Sequence, residues 1–397
     1  MFRVTEKQIF LNEKKYFIPA YDRKKVVFVK GKGQYLWDIN GKKYLDFFSG
    51  ISVCSLGHCH PKVTKSIKFQ ADKLVHVSNL YYTLPQVKLA ELLIKKSFKK
   101  GKVFFSNSGA EANECAIKLS RKLGSQFKKY EIISFKNSFH GRTLATLSAT
   151  GQKKFHKGFA PLMSGFKFAT FNDISSVKKL INKKTCAIIV EPVQCEGGVH
   201  LAEKKFLQGL RKLANKHSLL LIFDEIQCGM GRTGKLFAYQ YYNVEPDVIT
   251  LAKSVAGGLP LGVTIVKDKF ANLFKPGDHG STFGGNLVSC SSAIEVLNLI
   301  DKKMLNNITQ LSEYTVYKLN ELKCKYKSIK EIRAVGLIFG MELDREVKDI
   351  IDLCLREGLV IGSAGKKVLR FLPPFVITKR DVDYAIKILD KVFKVVL

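Results

Sequence analysis

Between about residues 100 and 290, short apolar runs alternate with longer amphipathic stretches, and this rhythm restricts the fold more than any other feature of the chain. The apolar runs are VFF from 103, EIIS from 131, CAIIV from 186, LLLIF from 219, DVITLA from 247 and GVTIV from 262. Because helix-length segments separate them, the pattern predicts the strands of a mainly parallel sheet with helices packed on both faces. The predicted fold class is therefore α/β.

The two ends of the chain show different patterns. Residues 26–48 contain short β-type runs separated by the turn sequences KGKG and NGKK, which predict a small antiparallel hairpin system. After about 290, a long helical stretch leads to a strand set at 334–343, a helix at 346–357 and VLRFLPP at 368–374. We therefore predict a large domain over 51–295 and a smaller α+β domain formed by 296–397 with a contribution from 1–50.

Apolar segments of this chain are too short for a membrane. A helix that crosses a bilayer needs roughly 20 apolar residues, and runs such as LLLIF are the length of a core strand. The N-terminal residues MFRVTEKQIFLNEKKYF lack the apolar region of a secretory signal. We therefore expect a protein that neither crosses a membrane nor is secreted.

The nine cysteines are scattered singly along the chain without a CxxC pair, which argues against a disulfide framework. A reducing cytoplasm is the compartment that this pattern favours. His58, Cys59 and His60 are adjacent, but adjacent residues in a loop rarely supply the spaced ligands of a structural zinc site. No metal is expected.

The formal net charge of +32 at pH 7 suggests an anionic partner such as nucleic acid. Only 11 of the 66 basic residues are arginine, however, and the lysines are spread along the chain instead of forming one stripe. No arginine cluster with interleaved aromatic residues accompanies them. We favour solvated surface lysines and no nucleic-acid partner, with a basic nucleic-acid-binding protein as the remote alternative. A positive field would still attract anionic substrates.

The sequence SNSGAEANE at 106–114 follows a predicted strand and opens a predicted helix. Ser108, Gly109 and Ala110 would occupy the N-terminus of that helix. Small residues there leave backbone N–H groups accessible, and the helix dipole favours an anion, so the position suits a phosphate. A plain helix cap is an equally good interpretation of this motif alone.

Two further predicted strands end in polar residues that suit chemistry in the crevice beyond the sheet. LLLIF ends in Asp224, and a carboxylate there can pair with a protonated ring nitrogen of a cofactor. DVITLA leads directly to Lys253 and a glycine-rich loop, where a lysine can form a Schiff base with an aldehyde cofactor. The alternatives are a salt-bridged strand end and an ordinary surface lysine.

Arginine is scarce in this chain, so the arginines near predicted strand ends are candidate carboxylate ligands. FHGRT at 139–143 contains Arg142 together with Phe139, which could cover a ring face. Arg370 lies in VLRFLPP. The planar guanidinium binds a carboxylate through two hydrogen bonds, which lysine cannot do.

Together these motifs resemble the class III aminotransferases of pyridoxal-phosphate fold type I. The resemblance covers nearly the whole chain, with the motifs in the family's order and approximate spacing: SNSGAEANE, FHGRT, EPVQCEGG, DEIQCGMGRTG, LAKSVAGGLPLG, DHGSTFGGN and VLRFLPP. It implies that pyridoxal 5′-phosphate is the cofactor. It also implies that the chain acts as a homodimer with active sites at the subunit interface.

The resemblance implies a role for each matching residue. Lys253 would bind the cofactor covalently and move the proton, and Asp224 would hold the pyridine nitrogen. Thr282 would reach the phosphate of the neighbouring subunit's cofactor. The remaining cofactor-binding residues would be Ser108, Gly109 and Ala110 at the phosphate, Phe139 and Ile226 on the ring faces, and Gln227 near the phenolic oxygen.

For the substrate, the resemblance implies that Arg142 binds the carboxylate remote from the reacting amine and that Arg370 binds the α-carboxylate of glutamate. Glu196 would neutralise Arg370 when the amine donor has no carboxylate there, and Ser281 would be a further substrate-binding residue. The motifs HVSNLYYTLPQ and GISVCSLGHCHP are similar to family members that use N-acetylornithine and 2-oxoglutarate. Ornithine, succinylornithine, succinyl-diaminopimelate and 4-aminobutyrate are the alternative amine donors.

Overall fold

The computed structural model describes residues 5–397. The first four residues of the predicted 1–50 segment therefore lie outside the described part. The strands are β1 (Phe28–Lys32), β2 (Tyr35–Asp38), β3 (Lys43–Asp46), β4 (Gly101–Ser106), β5 (Glu131–Phe135), β6 (Phe166–Ala169), β7 (Thr185–Val190), β8 (Val193–Gln194), β9 (His200–Leu201), β10 (Leu220–Asp224), β11 (Val248–Leu251), β12 (Gly262–Lys267), β13 (Ile329–Val335), β14 (Ile338–Leu343), β15 (Leu359–Val360), β16 (Gly362–Ala364) and β17 (Val368–Phe371).

The helices connect these strands and cover the sheets. They are α1 (Glu6–Tyr16), α2 (Ser49–Ser52), α3 (Pro61–Ala71), α4 (Leu84–Lys96), α5 (Gly109–Ser125), α6 (Leu144–Ala149), α7 (Ile174–Leu180), α8 (Lys204–His217), α9 (Ala238–Tyr242), α10 (Leu287–Leu299), α11 (Lys302–Lys325), α12 (Lys348–Arg356) and α13 (Lys379–Val396), with 3₁₀ turns at Lys153–Phe155, Lys253–Ala256 and Asp268–Phe270. No helix of residues 5–397 is both long enough and apolar enough to cross a bilayer.

A seven-stranded sheet in the order β4-β12-β11-β10-β7-β5-β6 forms the centre of the molecule. Strands β5, β6, β7, β10 and β11 are parallel, which confirms the predicted α/β class. Both faces are covered, since Leu220 and Ile222 of β10 belong to one apolar cluster and Leu221 and Phe223 to another. Strand β10 is therefore apolar from Leu220 to Phe223, because it has no solvated face.

The prediction of a parallel strand at GVTIV was wrong in direction. Strand β12 is antiparallel to both of its neighbours, β11 and β4. A parallel connection needs a crossover of a dozen or more residues, usually with a helix. The segment between Leu251 and Gly262 contains only a 3₁₀ turn, so the chain returns directly beside β11. Strand β6, which the apolar pattern missed, completes the other edge.

Two smaller sheets lie outside the central sheet. Strands β1, β2 and β3 form the predicted antiparallel hairpins, and β15 from the C-terminal part adds a parallel strand to β3. The set predicted at 334–343 is a hairpin of β13 and β14, which forms a sheet with β17 and β16. The domain division at 50 and 295 stays a prediction, but the β3–β15 pairing supports a contribution from 1–50 to the smaller domain.

Residues 49–52 form a left-handed turn between the N-terminal sheet and the central part. Ser49, Gly50, Ile51 and Ser52 have φ angles of 51°, 60°, 64° and 64°. Such a conformation costs about 1–2 kcal/mol per non-glycine residue. The Asp46 carboxylate stabilises it by accepting the Ser49 N–H at 2.9 Å, and the Ser49 hydroxyl donates to the carbonyl of Leu372 at 2.8 Å. The turn directs the chain toward Val53.

Candidate active site

A cavity of about 440 Å³ lies beyond the carboxyl ends of β5, β7, β10 and β11. This size lies within the usual range for sites that bind a small molecule. Ten of the sequence-predicted site residues line it: Ser108, Gly109, Ala110, Phe139, Arg142, Glu196, Asp224, Ile226, Gln227 and Lys253. Val53, His140 and Glu191 also line the cavity, and sequence reasoning assigned them no role.

Lys253 follows β11 in a strained conformation. Its φ angle is 46°, in the left-handed region that a non-glycine residue rarely adopts. Such strain is typical of functional positions, where the surrounding structure holds the residue in place. The side chain is half-buried, and burial lowers the pKa of Lys253, an effect that Glu196 opposes and Arg370 reinforces. The amine is therefore easier to deprotonate than an ordinary lysine.

Asp224 ends β10 and is held by three hydrogen bonds. Its Oδ2 accepts from the Asn113 amide and from the His140 Nδ1, both at 2.7 Å, and its Oδ1 accepts from the Ile226 N–H at 3.1 Å. Asn113 is fixed in turn by the Thr250 hydroxyl at 2.8 Å. The network fixes the position and orientation of the Asp224 carboxylate at the bottom of the cavity.

Glu225, the second acid of the Asp224–Glu225 pair, has a different task. Its carboxylate accepts the backbone N–H groups of Ala238 at 2.5 Å and Tyr239 at 2.8 Å. It therefore caps the N-terminus of α9 instead of facing the cavity. Burial raises the pKa of Glu225 to about 8, although the two backbone donors oppose the shift.

Glu191 is a buried acid of the cavity wall that follows β7. Its Oε2 accepts the backbone N–H of Phe139 at 2.9 Å. Burial raises the pKa of Glu191 well above its ordinary value, and the charge of Asp224 acts in the same direction. Glu191 therefore anchors the Phe139 loop, and its raised pKa favours the protonated form of its carboxyl group.

The N-terminus of α5 has the features of a phosphate site. The Ser108 hydroxyl caps the helix by accepting the Glu111 N–H at 3.2 Å. The N–H groups of Gly109 and Ala110 belong to the first turn, which has no intrahelical acceptor for them. A Cβ at position 109 would lie 2.9 Å from the Ile226 side chain, so a larger residue there would displace Ile226. These groups can bind a phosphate at the positive end of the helix dipole.

Arg370, which is buried, and Glu196, which is half-buried, form an ion pair at 2.7 Å. The same Arg370 nitrogen donates to Gln227 Oε1 at 2.9 Å, and Gln227 donates to Glu196 at 3.2 Å. Burial would raise the pKa of Glu196, but Arg370 and Lys253 outweigh it and lower that pKa to about 2. Arg370 itself does not line the cavity, since Glu196 and Gln227 lie between them.

Arg142 is exposed at the cavity and has no ion-pair partner in residues 5–397. Its guanidinium carbon lies 4.1 Å from the ring centroid of Phe155 and 5.6 Å from that of Phe139. Such cation–π contacts hold the group in place without neutralising it. Arg142 can therefore bind a carboxylate from solution.

Ser281 and Thr282 do not line the cavity that contains Lys253. The Ser281 hydroxyl accepts from the Asn107 amide at 3.1 Å, and Asn107 is a cavity residue. Thr282 is exposed in a separate cleft together with residues 76–79. One subunit alone therefore does not unite Thr282 with the other predicted cofactor-binding residues.

The polar groups that line the cavity match the chemistry of pyridoxal phosphate. A helix N-terminus with a glycine suits the phosphate, a fixed carboxylate suits the ring nitrogen, and a lysine of lowered pKa suits the aldehyde. No group of three or more potential metal ligands occurs among residues 5–397. The residues thus fit this cofactor.

Comparison with known proteins agrees with this chemistry. The model of the family "Aminotransferase class-III" matches residues 16–393. The chain is 49% identical over 385 residues to "Acetylornithine aminotransferase" of Methanocaldococcus jannaschii, covering 96% of each chain. It is 44% identical to "Acetylornithine/succinyldiaminopimelate aminotransferase" of Buchnera aphidicola subsp. Acyrthosiphon pisum, covering 95% of this chain and 94% of that one.

A solved ornithine aminotransferase of Toxoplasma gondii, described with partial occupancy of PLP at its active site, superposes with a TM-score of 0.94 at 33% identity, covering 99% of this chain and 95% of that one. The cofactor of the present chain is accordingly pyridoxal phosphate, and its substrates are small molecules. The fold, the cavity and these similarities lead to one conclusion: this chain belongs to the class III aminotransferase family.

Proposed function

We propose that the chain transfers the δ-amino group of N-acetylornithine to 2-oxoglutarate, giving N-acetylglutamate 5-semialdehyde and glutamate, as a step of arginine biosynthesis in the cytoplasm. The observation that carries the proposal is a pair of arginines, Arg142 in the lining of the Lys253 cavity and Arg370 behind Glu196 in its wall. Arg142 has no ion-pair partner among residues 5–397, whereas Arg370 is neutralised by Glu196. Arg142 is always available to bind a carboxylate, whereas Arg370 is available only when Glu196 does not neutralise it. Such a site suits two substrates whose carboxylates lie at different distances from the reacting amine.

The charges beside Arg142 favour an acylated substrate over free ornithine. The acids that line the cavity are Glu191, Glu196 and Asp224. Glu196 pairs with Arg370, and Asp224 is bound by His140 and Asn113. The α-ammonium of ornithine would lie next to the carboxylate bound by Arg142 and would lack an anionic partner there. Acetylation removes that charge, and an unpaired charge costs several kcal/mol when it is desolvated.

When it is bound, the cofactor supplies an aldehyde that accepts the amino group and a ring that withdraws electrons from the reacting carbon. Lys253 binds the cofactor between turnovers, and its amine takes the proton from the substrate carbon and later returns it. A base works best when its pKa lies near the working pH, so the lowered pKa of Lys253 favours this role. Its strained backbone fixes the direction from which the amine approaches.

Asp224 holds the proton on the ring nitrogen, and His140 is its positioning residue. The 2.7 Å hydrogen bond from His140 Nδ1 restricts rotation of the carboxylate. His140 Nε2 is buried and has no hydrogen-bond partner in residues 5–397. Its proton therefore belongs on Nδ1, where Asp224 accepts it.

Glu196 selects between the two half-reactions. With an ω-amine in the cavity, Glu196 neutralises Arg370, which would otherwise be a buried charge without a partner. With glutamate in the cavity, the substrate α-carboxylate replaces Glu196. The Nε of Arg370 is buried and without a partner in the described chain, so a second donor is available for two-point binding.

A panel of amine donors tests the proposed substrate. We expect kcat/KM for N-acetylornithine to exceed that for free ornithine by at least about 100-fold, because of the unpaired α-ammonium. Succinylornithine, succinyl-diaminopimelate and 4-aminobutyrate are measured in parallel at equal concentration, with 2-oxoglutarate as acceptor. A preference for ornithine would refute the proposed substrate but not the family. A preference for succinylornithine or succinyl-diaminopimelate would make that compound the proposed amine donor in place of N-acetylornithine.

We also propose that two copies of the chain form the active unit. Leu80, Tyr81, Tyr82 and Leu84 are 87%, 64%, 101% and 78% exposed, and Phe283 is 61% exposed. The two segments are joined by hydrogen bonds from the Asn79 amide to the carbonyls of residues 281 and 284. A contiguous exposed apolar surface of this kind marks an interaction site. It adjoins Thr282, which would thereby reach the cofactor of the second copy.

Co-expression of two inactive variants tests this shared site. A chain with Thr282→Glu would repel the phosphate of its partner's cofactor, and a chain with Lys253→Ala would lack the amine. Each variant alone is expected to be inactive or nearly so. Random two-fold association should restore about a quarter of the parent activity, because half of the dimers are mixed and each contains one intact site.

The control for this experiment is co-expression of Lys253→Ala with an Asp224→Ala chain. Each of these substitutions disables the site of the chain that carries it. A mixed dimer therefore has one site without Lys253, one site without Asp224 and no intact site. No activity is expected from this pair. Equal recovery in both pairs, or monomers in sedimentation, would contradict the proposed dimer.

A further inference from the structure

Arg232 is fully buried, with 0% of its surface exposed, and no role described so far uses it. Its hydrogen-bond partners are all uncharged oxygens, so no carboxylate neutralises it. Burial lowers the pKa of Arg232 to about 9. A buried charge without a counter-ion is costly, and such groups are rare unless they serve a purpose.

The guanidinium of Arg232 joins three distant segments of the chain. One terminal nitrogen donates to the carbonyl oxygens of Pro373 at 2.5 Å and Leu337 at 3.2 Å. The other donates to the Ser55 hydroxyl at 2.5 Å. Its central carbon also lies 4.6 Å from the ring centroid of Phe375. The side chain is therefore fixed on several sides.

Two of these segments, and the segment of Arg232 itself, carry a residue of the site a short distance along the chain. Pro373 follows Arg370 by three residues, and Arg232 follows Gln227 by five. Ser55 lies just beyond Val53, which lines the cavity. Gln227 Oε1 accepts from Arg370 at 2.9 Å. Arg232 thus joins, behind the cavity, the same two segments that meet at its wall.

We propose that Arg232 is a positioning residue that sets the distance of Arg370 from Gln227 and Glu196, and thereby the affinity for substrates such as glutamate that have a carboxylate next to the reacting amine. This inference rests on the proposed function, in which glutamate needs Arg370 and the ω-amine does not. Loosening the 371–375 segment would misplace the Arg370 guanidinium. The ω-amine half-reaction, which uses Arg142 and Lys253, would be affected much less.

The geometry explains why an arginine occupies this position. The two terminal nitrogens of the planar Arg232 guanidinium donate to three oxygens, and each oxygen belongs to a different segment of the chain. A lysine ammonium is a point charge on a flexible stem and cannot match two separate donor positions at once. Arg232→Lys would keep the charge and the approximate size but lose part of the link, which makes it the most informative substitution.

The test compares the two half-reactions of Arg232→Lys by single-turnover absorbance in the pyridoxal-phosphate-loaded enzyme. We expect KM for glutamate to rise about 30-fold, since a hydrogen bond from a charged group is weakened. The kinetic constants for N-acetylornithine should change less than about threefold. Arg232→Ala should show a larger effect on glutamate, and millimolar guanidinium ion should partly reverse it.

Two further variants serve as controls. Ser55→Ala removes one acceptor but keeps the Arg232 guanidinium in place, and it should raise KM for glutamate in the same direction by a smaller factor. Arg211→Met removes an arginine that pairs with Asp247 at 2.8 Å, away from the cavity, and should leave both half-reactions unchanged. Thermal unfolding is measured for every variant.

Equal losses in both half-reactions, or no change in KM for glutamate with Arg232→Lys, would overturn the proposal and leave Arg232 as a purely structural residue. A parent enzyme that uses glutamate with a different ω-amine would refute only the proposed substrate, and that amine would replace N-acetylornithine in the comparison. A parent enzyme that uses neither donor would refute both.

Discussion

Replacement of Lys253 by alanine is expected to lower the rate of amino transfer by at least about 10⁴-fold, because the covalent attachment of the cofactor and the proton transfer are lost together. The absorbance spectrum is expected to change as well. The parent should show the band of the lysine-bound cofactor and lose it when glutamate is added. The variant should bind pyridoxal phosphate without forming that band, since the phosphate and ring contacts involve other residues.

Lys235→Ala is the matched control, since Lys235 is exposed in the loop before α9 and should have no influence on spectrum or rate. A small primary amine such as methylamine, added to Lys253→Ala, should restore part of the proton transfer. If Lys253→Ala retains a rate within tenfold of the parent, another residue is the base and the assignment of Lys253 is wrong.

Arg370→Met is expected to reduce kcat/KM for glutamate by about 10²- to 10³-fold, because loss of one partner of a buried hydrogen-bonded charge pair costs roughly 3–5 kcal/mol. The half-reaction with N-acetylornithine should fall less than tenfold, since its carboxylate is bound by Arg142. Single-turnover measurements with each donor separate the two effects.

Glu196→Gln is the reciprocal variant and should show the opposite preference. It leaves Arg370 without its negative partner, so glutamate should bind at least as well as in the parent and the ω-amine should bind less well. Because the pKa of Glu196 is lowered to about 2, the carboxylate is ionised throughout the neutral range. The preference of the parent should therefore not change between about pH 5 and 8.

A loss of both half-reactions in Arg370→Met would contradict the proposed division of roles.

Asp224 and Lys253 could be located from the sequence because both follow apolar strands that were recognisable. The carboxyl ends of parallel strands meet at one edge of a sheet, and Asp224 pairs in register with Thr250, three residues before Lys253. Local pattern therefore sufficed to bring them together. The same reasoning explains why the position of residues 108–110, at the N-terminus of α5 and in the cavity lining, was predictable.

The hydrogen-bond network around Asp224 was missed because it depends on contacts between distant segments. His140 is separated from Asp224 by 84 residues and Asn113 by 111. One signal was present, since Asn113 is a polar residue on the buried face of α5 next to Ala112 and Ala116. A buried amide needs partners, and that requirement could have suggested a role.

The direction of β12 and the positions of Ser281 and Thr282 could not be predicted from local patterns for other reasons. An apolar pattern reports that a strand is buried but not which way it runs, and only the short connection after Lys253 indicates the reversal. Thr282 lies outside the cavity of its own chain. The predicted role of Thr282 in a second copy came from the family resemblance alone, because a pattern within one chain cannot place a residue in another, and it stays a prediction.

The pairing of the N-terminal segment with the C-terminal strands determines which parts of the molecule can fold while the chain is being synthesised. Leu45 of β3 pairs with Leu359 of β15, and the Leu372 N–H donates to the carbonyl of Phe47 at 2.7 Å. At about 5–20 residues per second, the ribosome needs roughly 15 to 60 seconds between these two points. During that interval the left-handed turn at 49–52 lacks its hydrogen bond to the carbonyl of Leu372, and Arg370 does not yet exist. The central sheet can form earlier, but the Arg370–Glu196 ion pair forms only when residues 359–375 have emerged.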